Sequence, residues 1–335
     1  MIRLLWESPK TIEDVRSLVQ TAIEIEFATL PPYLYAKFSI PENSNPAAVS
    51  RIDSIVREEM IHMCLACNIL NSIGGSPNIV PPSYPGHLPG DVAGDLEIHL
   101  YPFSEAAMKQ GMDIETPVDP VDPPQLKASF LAEVSEPVTI GEYYARLDAE
   151  LKQLPANEWT PGRNQISDAQ FFQGQLFPVN DYIGANRAIN NIVSEGEGSP
   201  TAGSPLDFQN ELAHFYRFQE VYRNQTLVKA NNSVGYAWGA PLGVDWKAVY
   251  PAITDPETHD FSKDSPAAQA AQAACNNAFT SMVNELQLAF NGNPGRLGNA
   301  VRAMFDLRMA AIRALNTPLA DGVSVAGPSF LYLNS

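Results

Sequence analysis

The sequence predicts an all-α protein: a four-helix bundle with a long crossover and extra C-terminal helices. Three observations predict it. Apolar residues recur with the helical period over most of the chain. Glu-x-x-His occurs twice on segments with that period. A long Pro-rich stretch separates the first helical pair from the second.

The first helix is expected over residues 11–38. Val15, Leu18, Ala22, Ile25/Glu26, Thr29/Leu30 and Tyr33 fall near one stripe. Pro31-Pro32 should bend or locally break it. The second is expected over 46–73. Ile52, Ile55/Val56, Glu59, His62/Met63, Ala66 and Ile69/Leu70 share a face there, and Gly74-Gly75 ends it.

From 76 to 137 the periodicity disappears among Pro81-Pro82, Pro85, Pro89, Pro120 and Pro123-Pro124, and only 104–112 looks briefly helical. Such a stretch is too long for an ordinary loop. It keeps Val80, Leu88, Leu96, Ile98, Leu100 and Phe103, so it reads as an ordered crossover or lid with room for a small hairpin. A helix over 139–154 extends this crossover to 178.

The third core helix is placed over 179–197, its periodicity clearest to 194. The fourth spans 206–230, followed by a loop over 231–263 with Tyr236, Trp238 and Trp246. C-terminal helices fill 267–315, as 267–290 and 294–315, and the tail from Ala326 to Tyr332 looks extended. No composition break marks a second domain, so residues 1–335 read as a single domain.

The chain has 335 residues, with 38 acidic and 21 basic side chains, for a formal charge of −17. Only 18% of residues are charged, so the acidity reflects a shortage of Lys and Arg. Such a surface repels nucleic acid and anionic lipid, excluding both as primary partners. The start, Met1-Ile2-Arg3-Leu4-Leu5-Trp6-Glu7, shows no secretory h-region. No apolar run reaches the ~18 residues of a membrane span. Three cysteines, Cys64, Cys67 and Cys275, suggest a reducing, cytoplasmic setting rather than a disulfide framework. The 28 prolines suggest long ordered connections, and with only five histidines the placement of each is informative.

Two of those histidines share one pattern: Glu59-Met60-Ile61-His62 and Glu211-Leu212-Ala213-His214. Chance supplies only about 0.3 such pairs at this composition. Residues three apart on a helix share a face, so carboxylate and imidazole can reach a common point. A bundle that binds two metal ions uses this device twice, with one further Glu from each of the other two helices. On the first helix Glu26 lies on the apolar stripe, and Glu24 faces away. On the third, stepping Ala185, Ile189 and Val193 by four favours Glu197 over Glu195.

Glu195, Glu220 and Glu58 remain candidates for an alternative ligand or for a group that orients one. Cys64 and Cys67 have C-x-x-C spacing but sit mid-helix, where packing is the simpler reading than redox chemistry. For His87, His99 and His259 the default is loop packing, and for Tyr33, Tyr35, Tyr216 and Tyr222 it is the core.

The chain resembles the ferritin-like domain of the iminophenyl-pyruvate dimer synthase type, the VioB/RebD kind of bisindole-pathway protein. The stretches that carry the resemblance are Ala22-Ile23-Glu24-Ile25-Glu26-Phe27, continuing to Leu34; Arg57-Glu58-Glu59-Met60-Ile61-His62-Met63; and Asn68 to Pro77. Thr139-Ile140-Gly141-Glu142-Tyr143-Tyr144, Gly196-Glu197-Gly198, Ala213-His214-Phe215-Tyr216-Arg217-Phe218 and Gly327-Pro328-Ser329-Phe330 complete it. These span nearly the whole chain. The resemblance implies a ferritin-like core with a carboxylate-bridged metal site, and Glu26, Glu59, His62, Glu197 and His214 as ligands. Glu195 replaces the usual Gln, which leaves the third-helix choice open, and Glu211 rests on spacing alone.

Carboxylate and imidazole donors suit two divalent ions, iron first and manganese next. The expected activity is that of a non-haem di-metal, di-iron-type oxidoreductase that uses O2 or peroxide on a small, amino-acid-derived metabolite. The alternative is metal or peroxide handling, that is, storage or detoxification, without an organic substrate. A homo-oligomer is left open.

Overall fold

The structure is a computed structural model that describes residues 9–117, 138–168, 171–198, 204–232 and 234–333. The Met1–Glu7 start, the 118–137 part of the crossover and its Pro120, Pro123 and Pro124 lie outside the described residues.

Thr11 opens α1 (Ile12–Phe38). Its hydroxyl accepts from the Asp14 N–H, and the Asp14 carboxylate accepts from the Thr11 N–H. The helix continues through Pro31-Pro32, so the local break expected there does not occur. Pro32 has no N–H to offer the Ala28 carbonyl; the buried Tyr84 hydroxyl donates to that oxygen at 2.6 Å instead. After a short turn, α2 (Pro46–Ser72) packs along α1. Gly74, at φ 77°, ends the second helix where the sequence placed its stop.

Among the described residues the crossover carries two α-helices. The brief helical signal becomes α3 (Glu105–Ile114), capped by the Ser104 hydroxyl, and it reaches two residues past the expected end. A second capping box, Thr139 with Glu142, opens α4 (Ile140–Leu151). The crossover has isolated bridges, Gly86 with Ile98 and Val92 with Val138, but no regular hairpin among the described residues.

Asp181 caps α5 (Tyr182–Glu197) by accepting from the Gly184 N–H at 2.8 Å. The fourth helix is the main correction. Instead of 206–230, α6 spans only His214–Arg223. Before it, the Asp207 carboxylate accepts from the N–H groups of Gln209 and Glu211 at 2.8 and 2.9 Å, holding a turn that competes with helix. After it, Asn224 adopts a left-handed conformation at φ 54° and stops the helix. The β-branched Thr226 and Val228 then favour a strand. The chain forms an antiparallel hairpin, β1 (Gln225–Lys229) with β2 (Tyr236–Pro241), where a helix end and a loop were expected. Tyr236 and Trp238 sit on β2, and Trp246 stacks on Phe103 with ring centroids 4.8 Å apart.

The last pair, α7 (Pro266–Phe290) and α8 (Leu297–Leu315), packs together and against the first pair, α8 on α1 and α7 on α2. One buried cluster joins Ile23 and Phe27 of α1, Leu65 and Ile69 of α2, and Phe279 and Phe290 of α7. Each such side chain contributes about 1.5–3 kcal/mol on burial. Cys64, Cys67 and Cys275 are buried free thiols in this packing. No helix among the described residues is long and apolar enough to cross a membrane.

Candidate metal centre

α1 and α2 bring Glu26, Glu59 and His62 together in the interior, where each is no more than 2% exposed. His62 Nδ1 lies 3.5 Å from Glu26 Oε2 and 3.8 Å from Glu59 Oε1. His214, the first residue of α6, faces the same centre from the other side. Its Nδ1 lies 2.7 Å from Glu59 Oε1 and 3.7 Å from Glu115 Oε2. Two groups able to hold a metal ion therefore share Glu59: Glu26, Glu59 and His62, and Glu59, Glu115 and His214. The two imidazoles are nearly parallel, with centroids 5.5 Å apart.

Each of the three carboxylates is held by a hydroxyl. Tyr144 donates to Glu26 Oε1 at 2.7 Å, and Tyr33 donates to Glu115 Oε1 at 2.7 Å. The Thr29 hydroxyl lies 2.9 Å from Glu59 Oε2. In each case the other carboxylate oxygen approaches an imidazole Nδ1. The outer nitrogens are anchored in the same way. His62 Nε2 lies 2.7 Å from Glu195 Oε2, and His214 Nε2 lies 2.9 Å from Glu58 Oε2. A carboxylate on the far nitrogen fixes the tautomer and aims Nδ1 inward.

Placement of the expected residues follows from these contacts. Glu26, Glu59 and His62 form one donor group, and His214 joins Glu59 and Glu115 in the other. Glu195, on the buried face of α5, touches the outer nitrogen of His62. Glu197 is turned to α4, where it accepts from the Gly141 N–H at 2.6 Å. Ala188, Ile192 and Glu195 share the buried stripe of α5, whereas stepping through the half-buried Val193 leads to Glu197. Glu211 is 63% exposed, with its carboxylate 3.5 Å from Arg217. It precedes α6, so no helical face aligns it with His214. Glu220 pairs with Arg51 and accepts from the Leu227 N–H at 2.6 Å, tying α2 and β1 to α6. Glu58 orients His214 and pairs with Arg217 at 2.8 Å.

Glu115 was missed. It caps the C-terminus of α3, in the crossover. The stripe of Ala107/Met108 and Gly111/Met112 continues to it by helical steps, and that signal would have found it. Gly196 lies beside it: a Cβ there would crowd Glu115 Oε2 at 3.2 Å.

Burial opposes charge on His62, but hydrogen bonds to Glu195 and Glu26 and the charge of Glu59 outweigh it and raise its pKa to about 10. His214 is likewise raised, burial being overcome by Glu115, Glu58 and Glu59. Burial and the nearby Glu115 and Glu26 push Glu59 up to about 7, against His214. Burial alone would raise Glu58; His214 and Arg217 win and lower it to about 2.

His214 Nδ1 is the test of fit. It is fully buried and makes no hydrogen bond of acceptable geometry, although two carboxylate oxygens surround it. A cation in place of the proton would satisfy that nitrogen and both carboxylates. The donors are hard oxygens and imidazole, with no thiolate, so they fit a divalent ion.

The comparisons agree with this fold. The chain is 22% identical over 378 residues to dichlorochromopyrrolate synthase from Lentzea aerocolonigenes, which covers 96% of this chain but 36% of that protein. The chain thus spans about a third of that relative's length. A solved structure of a ferritin-like protein from Caulobacter vibrioides shares the fold, with a TM-score of 0.67 at 21% identity over 95% of this chain and 99% of the other. A ferritin-like family profile matches residues 19–223. With that profile covering more than half of the sequence, the chain belongs to the ferritin-like family.

Proposed function

We propose that the protein is a non-haem di-metal oxidoreductase, iron-dependent ahead of manganese, acting on a small organic metabolite. The observation that carries the reading is the unsatisfied His214 Nδ1 beside Glu59, the carboxylate common to both donor groups. Glu26, Glu59 and His62 would hold one ion and Glu59, Glu115 and His214 the other. Bound iron or manganese would supply the one-electron chemistry that activates O2 or peroxide.

The chain's own residues set the conditions. Tyr144, Thr29 and Tyr33 fix the carboxylates, Glu195 and Glu58 fix the imidazoles, and burial excludes bulk water. The relative's name, a synthase of a chromopyrrolate, supports an organic substrate over storage. The charge of −17 supports a small-molecule partner over nucleic acid or an anionic membrane. Three buried free cysteines support a reducing, cytoplasmic setting. Helices, crossover and C-terminal pair act as one domain in this reading.

The test is metal analysis followed by reaction. About two ions per chain are expected after anaerobic iron loading. O2 consumption should then accelerate with amino- or imino-acid compounds. Fewer than about 0.2 ions in a folded protein would remove the metal reading. Iron oxidation indifferent to every organic compound would favour storage or detoxification.

A further inference from the structure

Behind the carboxylate cluster the packing is incomplete. A cavity of about 30 Å³ lies between α1 and α2 on one side and α7 and α8 on the other, walled only by apolar side chains. Phe27, Met60 and Met63 in its wall directly follow Glu26, Glu59 and His62 in sequence. The cavity therefore backs onto the helical turns that hold those three groups. Met282 and Met304 face them from the C-terminal pair. Methionine is flexible, so this wall can yield to a passing molecule.

A larger cleft of about 490 Å³ lies beside the cavity and is partly lined by Gln165, Ser167 and Asp168. Leu297 and Val301 line both spaces. They stand between a half-polar vestibule and an apolar interior.

Size decides the guest. One water-sized sphere takes about 10–15 Å³, so the inner cavity holds about two such atoms. An aromatic ring is too large. Water fits by volume but finds no polar partner, and such cavities stay dry.

We infer that this cavity is a binding pocket for an apolar molecule of diatomic size, dioxygen, that enters from the cleft past Leu297 and Val301. The choice of dioxygen rests on the reading of the metal centre as an O2-consuming site. The pocket itself does not, because its lining is independent of metal.

Xenon is the probe, applied under pressure to crystals and in solution by the exchange rate of 129Xe resonances, on metal-free and iron-loaded protein. A bound xenon atom at the cavity is expected in both. Val301→Trp, at the half-buried rim, should slow xenon exchange about tenfold and raise the O2 concentration for half-maximal iron oxidation by a similar factor, with the limiting rate unchanged. Ala300→Leu, which fills the interior, should abolish the xenon site; thermal melting confirms that each variant is folded. Absence of xenon from the wild-type cavity overturns the proposal. So does a folded Val301→Trp variant with wild-type xenon exchange and O2 dependence. If xenon enters past Val301 but the loaded protein consumes no O2, the pocket stands and dioxygen as its guest falls with the metal reading. If O2 is consumed while xenon is excluded, the pocket alone falls.

Discussion

Glu115→Gln separates the structural donor set from the one that spacing suggested. The amide keeps an oxygen for the Tyr33 hydroxyl, which donates to Glu115 at 2.7 Å, while the charge is lost and an NH2 takes the place of Oε2. Ligand atoms of Glu115 and Glu59 lie within 4.8 Å of each other. At an effective dielectric of ~20 their repulsion is about 3.5 kcal/mol. The same charge attracts the His214 ring, held protonated by its surroundings, whose Nδ1 is 3.7 Å away. That attraction is about 4.5 kcal/mol on the same scale. The two effects oppose, so metal-free stability should change by about 1 kcal/mol or less.

Metal affinity has no such compensation. Removing a group that merely orients a ligand weakens metal binding about 10–100-fold, so losing a donor should reach about 100-fold or more. At metal concentrations that saturate the wild type, that deficit removes about 2.7 kcal/mol of linkage stabilisation. Competition with a chromophoric chelator gives the affinity, and melting with and without metal gives the linkage. Glu211→Gln is the control: its side chain is 63% exposed, and it should bind metal like the wild type. Wild-type affinity in Glu115→Gln, or metal loss in Glu211→Gln, would refute the reasoning.

On α5, Glu195→Gln should weaken metal binding about 10–100-fold by freeing His62. Glu197→Ala should leave metal content unchanged and cost about 1 kcal/mol of stability at the start of α4, measured by denaturant titration; the reverse pattern would restore Glu197 as the ligand. In metal-free protein the protonated His62 stabilises the fold, since its pKa rises from 6.5 to about 10. That stabilisation is complete below pH 6.5 and disappears as pH rises through about 10. Calorimetry of metal-free protein should show it, whereas metal-loaded protein, its imidazole already neutral, should lack this dependence; identical profiles would count against the site. Burial pushes the Cys64 and Cys275 thiols up to about 12. Native protein should therefore not react with a disulfide reagent near ~pH 8, and prompt release of three equivalents would contradict that packing.

The long helices were legible because their periodicity is sustained. Glu26 sits on an apolar stripe of α1, and Glu59 and His62 share a face of α2, so one-dimensional spacing puts all three in the cluster that the structure brings together. His214 was singled out by its Glu-x-x-His spacing from Glu211, yet the structure brings it to the cluster without Glu211. The turn closed by Asp207 starts α6 at His214, and Glu211 loses the face it would have shared. Short-range side-chain competition of this kind shifts a helix boundary by several residues without disturbing the hydrophobic pattern. Pro31-Pro32 misled in the opposite direction, because the partner that rescues the Ala28 carbonyl, Tyr84, is distant in sequence.

The exchange of carboxylates also changes the chemistry open to the centre. Four glutamates and two histidines would fill most positions around two ions. The structure instead aims Glu26, Glu59 and Glu115 inward and leaves Glu195 one step removed, behind the His62 ring. From there its charge would make the imidazole a stronger donor to a bound ion without itself binding it. Glu58 does the same for His214, with Arg217 balancing its charge. Glu115 comes from the crossover rather than from one of the four core helices, so the centre is complete only when α3 is docked against α6. The crossover therefore supplies one member of the candidate centre. In the proposed reading, a centre with fewer direct carboxylates would keep room for a reactant on bound ions, which would suit catalysis better than permanent metal sequestration.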